Sequence, residues 1–232
     1  MNSTAKARPG VSAPQSGKHA DPYGSALTVT DIARQHSVNI LTLSDGSTLR
    51  MPHGMFEQSP WRIGRPITKE AFEAWMAENE YKACMERAGR SLSAKNRTEN
   101  ELRDTLHQAG FRDVSVDRVL ARLTEVGYID DAAFSAAWIK HRTAGGYGEN
   151  RIRQELRMKG IDEEIIRAAF LTQSEEEPRD AAYTAAVKAA RGKDLSSYKD
   201  RQKIKAALAR RGFDFDTIDE AIRKLAGQAE DE

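Results

Sequence analysis

Asp130 and Asp131 are the adjacent carboxylates that bring this 232-residue chain nearest to a catalytic motif. Paired carboxylates can hold divalent metals for phosphodiester hydrolysis, but a two-metal site needs further carboxylates converging on the same point. Their place, directly ahead of the helically spaced Phe134, Trp138 and Ile139, predicts a helix cap instead. His107 and His141 fall on predicted helices without a Cys or carboxylate at metal-ligand spacing, which predicts surface positions. Cys84 is the one cysteine, with no base near it in sequence. It reads as a small buried apolar residue, and no intrachain disulfide can form. With no phosphate loop, nucleophile–base pair or metal constellation in view, the chain is expected not to be an enzyme and to need no cofactor or metal.

What the residues do offer is local positive charge. The whole chain carries only +1, from 36 Lys and Arg against 35 Asp and Glu, so attraction to a polyanion must come from clusters. Lys199, Arg201, Lys203, Lys205, Arg210 and Arg211 lie close together against Asp200. Arg151, Arg153, Arg157 and Lys159 lie together against Glu155. Pairs four apart, such as Arg153 and Arg157 or Lys199 and Lys203, share a helix face. Such faces can meet DNA phosphates or acidic groups on a protein, and the sequence does not choose between them. The glycine-rich Gly145-Gly146-Tyr147-Gly148 stretch offers Tyr147 as an exposed contact. Phe134 and Trp138, four apart on one helix, are expected in a core.

The elements carrying these clusters repeat. Glu101–Phe111 returns as Arg151–Ile161 and again as Lys203–Phe213, with matched columns Leu102/Ile152/Ile204, Leu106/Leu156/Leu208, Gly110/Gly160/Gly212 and Phe111/Ile161/Phe213. Each Gly is expected to close a helix at C′, where a positive φ costs least. Apolar residues six, nine and ten positions after each Gly predict a following helix with one buried face. Another helix precedes each pair, opened by Thr68, by Asp130 or Asp131, and by Pro178. Thr98-x-x-Glu101 predicts a capping box. Before the repeats, the segments 27–32, 38–43 and 47–51, with Asp45-Gly46 between the last two, predict a three-stranded antiparallel meander.

The fold class is therefore mainly α: three tandem three-helix repeats in an elongated array, preceded by a small antiparallel β-meander and a helix. The expected divisions are a disordered tail over 1–24, a β-rich segment over 25–66, a linking helix and first repeat over 67–128, a second repeat over 129–174, a third over 175–227, and an acidic tail over 228–232. For the first tail, an inert segment and a nucleic-acid tether both fit. Glu175-Glu176-Glu177 is expected to mark the last joint. No apolar run is long enough to span a membrane, and no signal-like segment opens the chain, so a cytoplasmic monomer is expected.

One stretch is more specific. Gly127-Tyr128-Ile129-Asp130-Asp131-Ala132-Ala133-Phe134, followed by Arg142, Gly148 and Ile152-x-x-Glu155-Leu156-x-x-Lys159-Gly160-Ile161, resembles the RecX family of bacterial regulatory proteins. The resemblance covers about Tyr81 to Ala226 and is closest in the central copy. It implies a protein that binds RecA and the RecA filament on single-stranded DNA. It further implies that filament growth, ATP hydrolysis and strand exchange are inhibited, within recombination, DNA repair and the SOS response. Arg142, inside the matched stretch, joins the cluster residues as a candidate contact to RecA or to DNA directly. The rival reading is a helix-turn-helix transcription regulator, in which the last helix of each unit would enter the major groove. Asp162-Glu163-Glu164 at the head of one such helix argues against it.

Overall fold

The computed structural model describes residues 26–172 and 176–230; the tail expected over 1–24, and Glu175 of the expected joint, lie outside the described residues. Strands β1 (Leu27–Gln35), β2 (Val38–Leu43) and β3 (Thr48–Pro52) form the antiparallel meander. Gly46 takes φ +81° in the β2–β3 turn, where Asp45 Oδ1 accepts the Ser47 N–H at 2.9 Å. The sheet has a fourth strand that the sequence did not suggest: β4 (Pro66–Ile67) pairs with Leu27 and Thr28 on the outer edge of β1, giving the order β3-β2-β1-β4. Two residues are too few to show any period, and Pro tolerates an edge position because it has no N–H to pair. Val29, Leu41, Leu43 and Met51 point into a core shared with Met55 of the short helix α1 (His53–Phe56), with Trp61, and with Phe72 and Met76 of α2 (Lys69–Ala94). Trp61 lies against Phe72 and edge-on to Trp75, with ring centroids 5.3 and 5.4 Å apart.

Helix α2 begins where Thr68 Oγ1 accepts the Ala71 N–H and runs unbroken for 26 residues, about 39 Å at 1.5 Å each. Its buried stripe is Phe72, Met76, Glu80, Cys84, Ala88 and Ser91, spaced by three and four. The N-terminal half roofs the sheet, and the C-terminal half serves as first helix of the first unit. Glu80 in this stripe is almost fully buried and accepts the Arg112 backbone N–H at 2.8 Å and its Nε–H at 2.6 Å. A buried carboxylate thus caps the next unit helix, whose own N-cap residue, Arg112, makes no side-chain cap bond.

The first unit continues with α3 (Glu99–Gln108) and α4 (Asp113–Glu125). The second holds α5 (Asp131–Ala144), α6 (Glu149–Met158) and α7 (Glu163–Leu171), and the third α8 (Glu176–Ala190), α9 (Tyr198–Arg210) and α10 (Phe215–Glu230). Glu176 and Glu177 belong to the first turn of α8, where acids suit the helix dipole, so the helix starts two residues before Pro178. Helix α10 is continuous to Glu230, into the expected acidic tail.

The three middle helices end alike. Gly110, Gly160 and Gly212 have φ of +90°, +76° and +90°. The N–H of the next residue returns to the C3 carbonyl: Phe111 to Leu106, Ile161 to Leu156, and Phe213 to Leu208, at 3.3, 3.2 and 3.3 Å. These are Schellman closures, and each buries the apolar residue after the Gly. The apolar contacts fall into three separate clusters: sheet with α2, α3 and α4; α5, α6 and α7; α8, α9 and α10. Among the described residues no common core joins the units, as expected of an array in which each brick packs on its neighbours.

Candidate binding surface

The units meet through the ends of their middle helices. At the first joint, Thr98 at the head of α3 caps the Glu101 N–H and donates its hydroxyl to the Lys159 carbonyl at 2.8 Å. Lys159 Nζ reaches back to Glu101 at 2.7 Å, and Asp131 Oδ1 accepts the Glu99 N–H at 3.0 Å. Burial pushes the Glu101 carboxyl up, but the hydrogen bond and charge of Lys159 outweigh it, so the group is held below its ordinary range. Asp131 is shifted the other way, raised by burial and by the nearby Glu99 and Asp130. Asp130 is the N-cap of α5, accepting the Ala133 N–H at 2.8 Å. Both carboxylates of the pair thus accept backbone N–H groups.

The second joint repeats the plan. Gly148 and Asn150, at the head of α6, donate their N–H groups to the carbonyls of Arg211 and Gly212 at 2.9 and 3.0 Å. Arg211 Nη1 donates to the Gly146 carbonyl at 3.1 Å, and Tyr147 lies between the guanidiniums of Arg142 and Arg211, 3.7 and 5.7 Å from its ring centre. Tyr147 and Arg211 are therefore half-buried joint residues, and Tyr147 is not the exposed contact expected of a glycine-rich loop. Its glycines are there for close approach: a Cβ on Gly148 would stand 2.3 Å from the Phe213 nitrogen.

Behind this joint, Glu155 gathers four donors. Arg142 gives Nε and Nη2 at 2.7 and 2.5 Å, Arg151 gives Nε at 3.1 Å, and Trp138 gives Nε1 at 3.1 Å. Burial raises this carboxyl, but the hydrogen bonds from Arg142 and Arg151 and the Arg142 charge prevail, and its pKa is lowered. Arg142 is thus committed to the interior of the second unit. Phe134 and Trp138 stack at 5.9 Å and pack half-buried against the core of the second unit, under Lys159 Nζ.

The outer cations of α6 are also committed. Arg153 pairs with Glu149 at 2.7 Å and lies over the Phe170 ring, while Arg157 grips Glu163 with two bonds of 2.7 and 2.9 Å. Helix α9 differs. Arg201 turns inward to the carbonyls of Leu195 and Ser196, and Lys205 pairs with Asp219 of α10 at 2.6 Å. Lys199, Lys203 and Arg210 lie within about 40° of one another around the axis and span about 16 Å along it. All three are exposed. Lys203 has only the surface partner Asp200, and among the described residues Lys199 and Arg210 form no ion pair. Tyr198, the first residue of α9, and Phe215, the first of α10, are 71% and 83% exposed. Exposed aromatics and exposed cations are residue types that interfaces and nucleic-acid contacts use. In sequence, Phe215 was distinguishable as an aromatic outside the buried six, nine and ten positions after Gly212; Tyr198 carried no such signal.

The remaining candidates are accounted for locally. Cys84 is fully buried, its thiol pushed up to about 12 by burial and by the Glu80 charge. His107 lies 3.5 Å from Asp113 at the surface, and His141 is exposed. At the head of α7, Asp162 caps the Glu164 N–H and Glu163 holds Arg157, so acid occupies the end that a reading helix would turn to DNA.

Family models match three stretches of the chain: the first three-helix domain of RecX over residues 84–123, the second over 130–169 and the third over 175–222. The "Regulatory protein RecX" of Clostridium perfringens is 30% identical over 162 residues, covering 68% of this chain and 76% of that protein. The protein of that name from a Mycobacterium species is 34% identical, covering 61% and 81%. With the Bacillus licheniformis protein of that name, 34% identity covers 60% of this chain but only 54% of the relative. The crystal structure of RecX from Lactobacillus salivarius superposes with a TM-score of 0.61 at 24% identity, covering 64% of this chain and 98% of that one. A second crystal structure, of regulatory protein RecX, gives 0.58 at 21% identity over 83% and 97%. At such identities the structures speak for the fold alone.

Proposed function

Since the chain belongs to the RecX family, we propose that it binds RecA and the RecA filament on single-stranded DNA and restrains filament growth, ATP hydrolysis and strand exchange. The observation that carries this reading is the exposed row of Lys199, Lys203 and Arg210 on the third of three units. An exposed cationic row on the third unit suits an anionic polymer as target, and the units laid in line give the chain length along which to lie on it. Inhibition needs no chemistry by this chain. A protein that binds one filament state more tightly than another shifts the balance between them by that difference in affinity. In the second unit Arg142, Arg151, Arg153 and Arg157 are occupied by Glu149, Glu155 and Glu163.

The test is the DNA-dependent ATPase of the cognate RecA, titrated with the full chain. The expected result is progressive loss of hydrolysis at substoichiometric to near-stoichiometric ratios. Unchanged hydrolysis throughout, with no co-sedimentation with filaments, would reject the proposal. Hydrolysis of labelled DNA by the chain alone would reject its non-enzymatic part.

A further inference from the structure

A second cationic site lies at the other end of the molecule. A groove of about 590 Å³ opens between the β1–β2 turn, α1, α2 and the C-terminal end of α3. Arg34 comes from one wall, and Lys82, Arg87 and Arg90 from the other, with Glu86 the one acid among the lining residues. Among the described residues, Lys82, Arg87 and Arg90 make no ion pair, and Arg34 reaches only the His36 carbonyl, at 3.5 Å. This contrasts with the second unit, where Arg142, Arg153, Arg157 and Lys159 are each held by a carboxylate. The backbone is bent to build the rim: His36, which lines the groove, has φ +51° in the tight turn between β1 and β2.

We propose that this groove binds the phosphodiester backbone of single-stranded DNA. The shape of the charge decides for a polyanion over a single phosphate. Lys82, Arg87 and Arg90 are spread over about 12 Å of the α2 axis and about 140° around it, and Arg34 stands on the facing wall, so the charge is distributed along the groove rather than gathered at one point. A single phosphate needs cations that converge; a strand needs cations that follow it. Gln58 and Gln108 also line the groove, and carboxamides can both donate to and accept from base edges. An acidic peptide offers the same charge and is tested below as a competitor. The choice of single-stranded DNA among polyanions rests on the function proposed above. The sheet then has a role beyond supporting α2: with the first unit it makes a DNA contact separate from the α9 row.

The test uses the full chain without RecA, a fluorescein-labelled oligothymidylate, and anisotropy read across a potassium chloride series. Arg87→Glu/Arg90→Glu is compared with wild type, with Arg87→Gln/Arg90→Gln as the milder pair should charge reversal disturb folding; circular dichroism checks both. Loss of two phosphate contacts is expected to weaken binding at least tenfold at low salt. It should also lower the slope of log affinity against log salt by about 1.4, at about 0.7 per phosphate on a single strand. Affinity within twofold of wild type in a folded variant would overturn the groove. So would displacement of the oligonucleotide by inorganic phosphate at matched ionic strength, or by poly-glutamate as effective as unlabelled oligothymidylate. RecA ATPase inhibition is followed in parallel. If wild type inhibits and the variant binds DNA unchanged, the groove alone fails; if wild type does not inhibit, the proposed function fails, whatever the anisotropy shows.

Discussion

Three glycines of this chain test whether the joints between units are as tight as their geometry states. Gly160, Gly192 and Gly212 have similar positive φ, +76°, +71° and +90°, but different surroundings. A Cβ on Gly192 would meet nothing within 4 Å. On Gly160 it would meet the Asn100 side chain at 2.4 Å, and on Gly212 the Arg151 backbone nitrogen, also at 2.4 Å. Left-handed backbone costs an Ala about 1–2 kcal/mol in all three. Gly192→Ala is expected to show that cost and no more. In Gly160→Ala the Asn100 side chain can turn aside, adding about 1 kcal/mol. In Gly212→Ala the obstacle is backbone, and overpacking adds about 1–3 kcal/mol. Urea unfolding gives the ranking. Hydrogen exchange gives the location, because the Gly148 and Asn150 amides donate across the joint to Arg211 and Gly212. In Gly212→Ala these two amides should lose protection while α6 interior amides keep theirs. Equal destabilisation of the three variants, within about 0.5 kcal/mol, would refute the reasoning.

Glu155→Ala leaves Arg142 without its carboxylate and should cost about 3 kcal/mol, the low end for breaking a buried pair because Arg142 keeps some exposure; Arg142→Met/Glu155→Leu should cost clearly less in the same urea assay. Glu101 and Glu155 both have lowered pKa values, so what they contribute to stability is full above the ordinary Glu value of 4.5 and is lost as pH falls through their folded values. Unfolding midpoints should accordingly hold from pH 7 to about 5 and fall below 4.5, less steeply in Glu155→Gln. Lys199→Glu/Lys203→Glu/Arg210→Glu should raise the half-inhibitory concentration in the RecA ATPase assay about tenfold, from three exposed contacts at about 0.5 kcal/mol each. Arg153→Gln/Arg157→Gln should leave it within threefold. Lys205 is left out because reversing it would set Glu against Asp219 and weaken the third unit. The Cys84 thiol should resist a disulfide reagent at pH 8 in the native protein and react fully in urea; rapid native reaction would contradict its burial.

The repeat was legible because its signals are local. Leu102, Leu106, Gly110 and Phe111 define a helix, its Schellman end and its buried anchor within ten residues, and two more copies repeat the statement. The joints were not legible, because their partners are far apart in sequence: Lys159 holds Glu101 across 58 residues, and Arg211 holds Gly146 across 65. Charge counting failed for the same reason on a smaller scale. The basic run in α6 looked uncompensated only because Glu149 and Glu163, which neutralise Arg153 and Arg157, fall just outside it. The run in α9 has fewer acids within reach, and part of it stays free. Arg142 and Tyr147 have the residue types of contact groups but are drawn inward by Glu155 and Arg211. Strand β4, at two residues, leaves no pattern to read.

The most direct measurement is electron cryo-microscopy of the full chain on a RecA filament assembled on single-stranded DNA. The account predicts density for the three units in line along the filament, with the α9 face bearing Lys199, Lys203 and Arg210 turned toward it. Undecorated filaments at saturating protein, or decoration with that face turned to solvent, would contradict it.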